Sequence, residues 1–148
     1  MKNLLFKRIG DIILAVYSDQ PPSDEEWNAY VAALVAAYKA TSGTKGVVRS
    51  LVVTDGGGPN AIQRKRCFEA VEQFQNWTKS PAAVISASAV ARGIVTVLSW
   101  FNIGIKVFSP NQTEEAFTFL GFSKQECSLV RTEIQRCKLE LESSRRKG

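Results

Sequence analysis

Short β-rich runs alternate with longer helical stretches along most of this chain. That alternation constrains the fold more than any single motif. Val47 to Thr54 is the clearest run: it is rich in β-branched residues, holds no turn residue and carries Leu51-Val52-Val53, as an interior strand covered on both faces should. Leu4 to Arg8 and Ile12 to Ser18 flank Gly10-Asp11, the pattern of a hairpin. Ala82 to Ala87 and Gly104 to Phe108 supply two further strands.

Helical signals fill the intervals. After Pro21-Pro22, Ser23 can cap a helix and Glu26 can reach back as its capping-box partner, while the acids at 24–26 suit the positive end of the dipole. Trp27, Val31, Leu34, Val35 and Tyr38 recur at helical spacing, and Thr41-Ser42-Gly43 closes the helix. A second helix is expected from near Asn60 to about Lys79, with an apolar stripe of Cys67, Ala70, Val71, Phe74 and Trp77. Ser88 caps a third over Ala89 to Phe101, and Pro110 to Leu120 forms a short fourth. Ser123-Lys124-Gln125-Glu126 is another capping box, opening a last helix to about Ser143 and leaving Arg145-Arg146-Lys147 frayed.

The order β-β-α-β-α-β-α-β-α-α predicts an α/β fold. Its sheet is mixed and mostly parallel, of about five strands, with right-handed crossovers and one antiparallel hairpin. The 148 residues suit one domain, divided here into 1–122 and a C-terminal helix with a basic tail at 123–148. Along that helix Cys127, Val130, Ile134, Cys137 and Leu141 form a heptad-like seam, too short for a coiled coil and expected to pack on its own domain.

Composition narrows the chemistry. There is no histidine, so Ser-His-Asp and Cys-His catalysis, histidine-ligated metals and histidine pH switches are excluded. Cys67, Cys127 and Cys137 are an odd set without CxxC spacing, expected to be reduced thiols in a cytoplasmic protein that holds no metal and no cofactor. Lys7, Arg8 and Asp11 interrupt what would be the apolar core of a secretory signal. Ala82 to Ile105 is long and apolar enough to imitate a membrane span, but Arg92 near its middle would cost at least ~2.5 kcal/mol there. A buried strand followed by a buried helix explains the same run, so no span is expected. The net charge of +5 permits nucleic-acid binding, yet the cations are spread along the chain and no zinc finger or RNA-binding aromatic motif accompanies them.

The strand Ile12 to Tyr17, the opening Pro22-Ser23-Asp24-Glu25-Glu26-Trp27 and the run Gln63-Arg64-Lys65-Arg66 belong together with Val84-Ile85-Ser86. Ala91-Arg92-Gly93-Ile94-Val95-Thr96, Trp100, Val107-Phe108 and Thr113-Glu114-Glu115-Ala116 complete the set. In order and content residues 4–122 resemble a STAS-like domain, the superfamily of anti-sigma-factor antagonists and of the cytoplasmic domains of sulfate transporters. More narrowly, they resemble bacterial STAS-like proteins of unassigned function. The resemblance implies a regulatory or scaffolding protein-interaction module rather than an enzyme. Anti-sigma antagonists switch by phosphorylation at the start of the second helix, but no Ser, Thr or Tyr occurs from Asp55 through Trp77. The phosphoswitch is therefore not expected.

Two sets of residues stand out as candidate contacts. Gly56, Gly58 and Ala61 fit G-x-G-x-x-A, but they follow the third strand, Pro59 removes a donor and no acidic residue follows at ribose-binding distance. A strand-to-helix turn with unusual backbone angles explains the glycines better. Arg64, Lys65 and Arg66 sit early in a helix, where cations oppose the dipole, so Gly56, Gly57, Gly58, Asn60, Arg64, Lys65 and Arg66 form a candidate anion or lipid-head-group site. Val95, Ser99 and Trp100 lie off the expected core face of the third helix and form a candidate partner surface, for a homodimer or another protein.

Overall fold

A computed structural model of the chain describes residues 1–43, 46–88 and 104–147. Five strands form one sheet in the order β1 (Leu4–Ile9), β2 (Ile12–Tyr17), β3 (Arg49–Thr54), β4 (Ala82–Ser86) and β5 (Ile105–Phe108). β1 and β2 pair antiparallel around Gly10, whose φ of 60° a side chain would strain. All the other pairs are parallel. The mixed, mostly parallel sheet expected from the alternation is present, and the apolar run that could imitate a membrane span begins as the expected strand, β4. No helix among the described residues is long and apolar enough to cross a membrane.

Strand order equals chain order, so successive right-handed crossovers lie on one face. That face carries α1 (Asp24–Ser42) and α2 (Ala61–Val71). The opposite face is covered by α3 (Thr113–Phe119) and α4 (Lys124–Lys147). On the first face Ile13, Ala15 and Tyr17 meet Trp27, Tyr30, Leu34 and Tyr38. On the second Ile12, Leu14, Leu51, Val53 and Ile85 meet Phe117, Val130, Cys137 and Leu141. The seam along α4 therefore packs on its own sheet, with Cys127 and Ile134 against the same cluster.

Both expected capping boxes exist. Ser23 Oγ accepts from Glu26 N at 3.0 Å, and Glu26 Oε1 accepts from Ser23 N at 2.9 Å. Glu26 Oε2 also accepts from Asn3 N and Leu4 N, tying the start of β1 to α1. Burial works against this carboxylate's charge, but these hydrogen bonds outweigh it and hold its pKa below the ordinary value. Ser123 and Glu126 repeat the device at α4.

Arg49, at the first residue of β3, fastens that helix start to the hairpin. Its Nη2 lies 2.7 Å from Asp11 Oδ1 and 2.6 Å from Glu126 Oε2, and Nη1 donates to Gly121 O at 3.1 Å. Its guanidinium carbon stands 5.3 Å from the centre of the Phe122 ring. The guanidinium holds the Glu126 carboxyl below the usual carboxylate range.

Three expected boundaries are corrected. The second helix stops at Val71 instead of running to Lys79, and only a 3₁₀ turn, Trp77–Lys79, follows. Two buried polar residues after it have other bonds to make: Asn76 Nδ2 donates to Thr41 Oγ1, and Ser80 Oγ accepts from Val48 N. Phe74 leaves the helical stripe to stack on Tyr38, ring centres 5.9 Å apart. The last helix continues through Lys147, and Arg145 pairs with Asp19 instead of fraying. The short helix near Pro110 begins as a 3₁₀ turn, Pro110–Gln112, before α3. The helix expected over Ala89 to Phe101 lies outside the described residues.

Candidate functional site

Parallel strands end together at one edge of the sheet, and there the glycine loop is built. Thr54, last in β3, donates from Oγ1 to Gly57 O and accepts at Oγ1 from Gly56 N. Gly57 N donates to Ser18 O at 2.9 Å, pressing the loop against the segment that follows β2. A Cβ on Gly57 would stand 2.2 Å from Gln20 O and 2.5 Å from Ser18 O, so glycine is required by close approach. Gly56 is required by its φ of 123°. The turn reading of the glycines is the one the backbone displays.

Asn60 caps α2. Its Oδ1 accepts from Gln63 N, and Gln63 Oε1 accepts from Asn60 N. Gln63 is buried; its Nε2 donates to Pro22 O and Asp24 Oδ1, and its carbonyl accepts from Trp27 Nε1 at 2.7 Å. One glutamine thus fixes the heads of α1 and α2 together. The sequence carried the signal, an Asn-x-x-Gln capping box, but its buried position between two helices is a tertiary fact.

The three cations that follow part company. Lys65 is exposed and 3.9 Å from Glu69, and Arg66 is 3.7 Å from Asp24. Arg64 has no carboxylate partner among the described residues; its Nη1 donates to Pro59 O at 2.9 Å. Ile62 stands 65% exposed on the same outer edge of α2 as Lys65 and Arg66.

Beneath the loop a cavity of about 400 Å³ runs between α1, α2 and the sheet. Gly56, Gly57, Gly58, Pro59 and Arg64 line its loop end together with Tyr17, Thr54 and Asp19. Farther in, its walls are Leu34, Val52, Val71 and Val84, then Tyr38 and Trp77. Tyr17 and Tyr30, both largely buried side chains, bring two phenols to the cavity wall. Burial raises both phenol pKa values, and it pushes the Cys67 thiol, on the same wall, up to about 12. The interior is therefore uncharged at neutral pH.

Across the sheet a second hollow of about 390 Å³ lies between the ends of β3 and β4 and α4. Two cations line it, Lys138 and Arg131, and Arg131 is paired with Glu114 and stands over the Phe117 ring at 5.0 Å.

Gly56, Gly57, Gly58, Asn60, Arg64, Lys65 and Arg66 are thus neighbours in space as well as in sequence. Asn60 is spent on capping, and Lys65 and Arg66 face outward. The candidate partner residues Val95, Ser99 and Trp100 lie outside the described residues. The buried phenols and the cavity wall were missed, because apolar helical spacing reads as solid core and gives no sign of a gap.

No family model and no curated protein matches the chain. Among solved structures it is similar to an anti-sigma-factor antagonist (STAS) domain protein from Planctomyces limnophilus, at 13% identity over 80% of this chain and 98% of that one, with a TM-score of 0.44.

Proposed function

We propose that the chain is a non-enzymatic regulatory or scaffolding module of STAS-like type, and that the outer edge of α2 is a contact for a protein partner with an acidic surface. The observation that carries this reading is Ile62, a large apolar side chain 65% exposed one turn before Lys65 and Arg66 on a helix whose start is held rigid by Asn60 and Gln63. An exposed apolar anchor ringed by charge, on a preorganised element, is the anatomy of an interface core with its rim. The polar groups around it, Thr54, Asn60 and Gln63, hold the loop and helix in place.

Val95, Ser99 and Trp100 belong to the same proposal as a second contact, for a homodimer. The three cysteines are free, which supports the cytoplasmic compartment proposed with it. A photo-crosslinking residue at position 62, introduced in the native cell, should give one discrete protein adduct. Lys65→Glu with Arg66→Glu should abolish that adduct. No adduct, or an adduct unaffected by the charge reversals, overturns the α2 contact. Solution mass tests the second: Trp100→Glu should convert a dimer to a monomer.

A further inference from the structure

We infer that the cavity between α1, α2 and the sheet binds a fatty-acid-like amphiphile, its carboxylate at the glycine-loop end and its acyl chain directed along β3 toward Trp77. The site is distinct from the outer edge of α2.

The cavity is graded along its length. Tyr17 is the last residue of β2, in register with Thr54, so its phenol belongs to the loop end. Tyr30 lines the same cavity. A phenol can donate to a carboxylate oxygen that reaches the cavity wall. Arg64 adds the positive charge. Its Nη1 is engaged by Pro59 O, and a guanidinium carries further N–H donors to offer a carboxylate. The acid at the same mouth, Asp19, is already matched by Arg145, so an arriving anion meets an unbalanced Arg64.

The inner part suits a chain. Thr54, Val52 and Ser50 alternate onto the cavity face of β3, a run of about 13 Å at ~3.3 Å per residue. The volume of about 400 Å³ falls within the ordinary range of ligand pockets. The neutral thiol and phenols inside cannot balance a charge there, so the charged end belongs at Arg64 and the uncharged end within.

The test is calorimetric titration of the full chain with dodecanoate below its micelle concentration, with dodecanol, and with inorganic phosphate. Dodecanoate should bind at one equivalent and phosphate should give no saturable heat. Arg64→Gln should weaken dodecanoate about tenfold to a hundredfold, the loss of one charge-assisted bond, and leave dodecanol unchanged. Tyr17→Phe should weaken dodecanoate by a smaller factor, and Val52→Phe should remove both ligands. Ile62→Ser, on the outer edge of α2, should change neither. The inference is overturned if dodecanoate does not saturate, if Arg64→Gln binds it as tightly as the unaltered chain, or if phosphate alone competes. Should Val52→Phe not fold, Arg64→Gln decides, because that side chain is half-buried at the mouth and carries no core contact.

Discussion

Val52 and Val53 are adjacent on β3, yet they look into different interiors. Val53 faces the α3–α4 layer and is buried with Leu51, Ile85 and Phe117 in an aliphatic cluster. Val52 faces the α1–α2 layer, is half-buried and lines the cavity. The first layer is closed by a long helix and clasped by Arg49 through Asp11 and Glu126. The second is built from large aromatic rings, Trp27, Tyr30, Tyr38, Phe74 and Trp77, which pack on one another as well as on the sheet. Rings meeting at angles leave gaps that aliphatic side chains fill, so the α1–α2 face holds an apolar volume beneath the glycine loop, whereas the hollow on the other face is confined to the ends of β3 and β4 beside α4.

Mutations can break or sharpen this contrast. Phe117→Ala should have the largest effect, about 3–5 kcal/mol of unfolding free energy, because it empties the centre of the closed layer. Denaturant unfolding measures it, and a loss below about 1 kcal/mol would deny that Phe117 is closely packed at the centre of this layer. Arg49→Met should cost about 1–3 kcal/mol, since it leaves two carboxylates and the Gly121 carbonyl without their donor.

The same substitution should change the response to acid. The Glu126 carboxyl is held below its ordinary value of 4.5, so its contribution is fully present above that pH and is lost as pH falls through the lower, folded-state pKa. Stability measured from neutral pH downward should therefore fall more steeply for the unaltered chain than for Arg49→Met below about pH 4.5. Parallel curves would show that the clasp is not what depresses Glu126.

The paired deletions come next. Val53→Ala should cost about 2 kcal/mol, because both methyls are buried in the aliphatic cluster, whereas Val52→Ala should cost about 1 kcal/mol or less because Val52 is only half-buried. Equal losses would mean that the two layers are packed alike. In the loop, Gly57→Ala should be clearly destabilising because backbone oxygens occupy the space, while Gly58→Ala, whose Cβ meets nothing within 4 Å, should be near neutral. Ile62→Ser should be smallest of all, within about 0.5 kcal/mol, as expected for an exposed position.

What could be read from the sequence divides along the same line. Strand order, hairpin and capping boxes are local: Gly10-Asp11, Ser23 with Glu26, and Ser123 with Glu126 all do what their spacing dictates. The seam on α4 also packs where its apolar residues point. The end of α2 was not legible, because Asn76 and Ser80 bond to Thr41 and to Val48 N, both far away in sequence. Arg49 gave no local sign of its partners, which come from the hairpin and from the last helix. The cation run was legible as a group, but not that Arg64 faces the cavity while Lys65 and Arg66 face outward. Pattern shows which residues are buried; it does not show how completely they fill the space.

The central claim is that the cavity on the α1–α2 face receives the amphiphile and the hollow on the α3–α4 face does not. Methyl NMR during a dodecanoate titration tests it on adjacent residues. The account predicts saturable shifts at Val52, Val84 and Leu34, with Val53, Ile85 and Leu51 unmoved. Shifts of equal size on both faces, or none at Val52 and Val84, would contradict it.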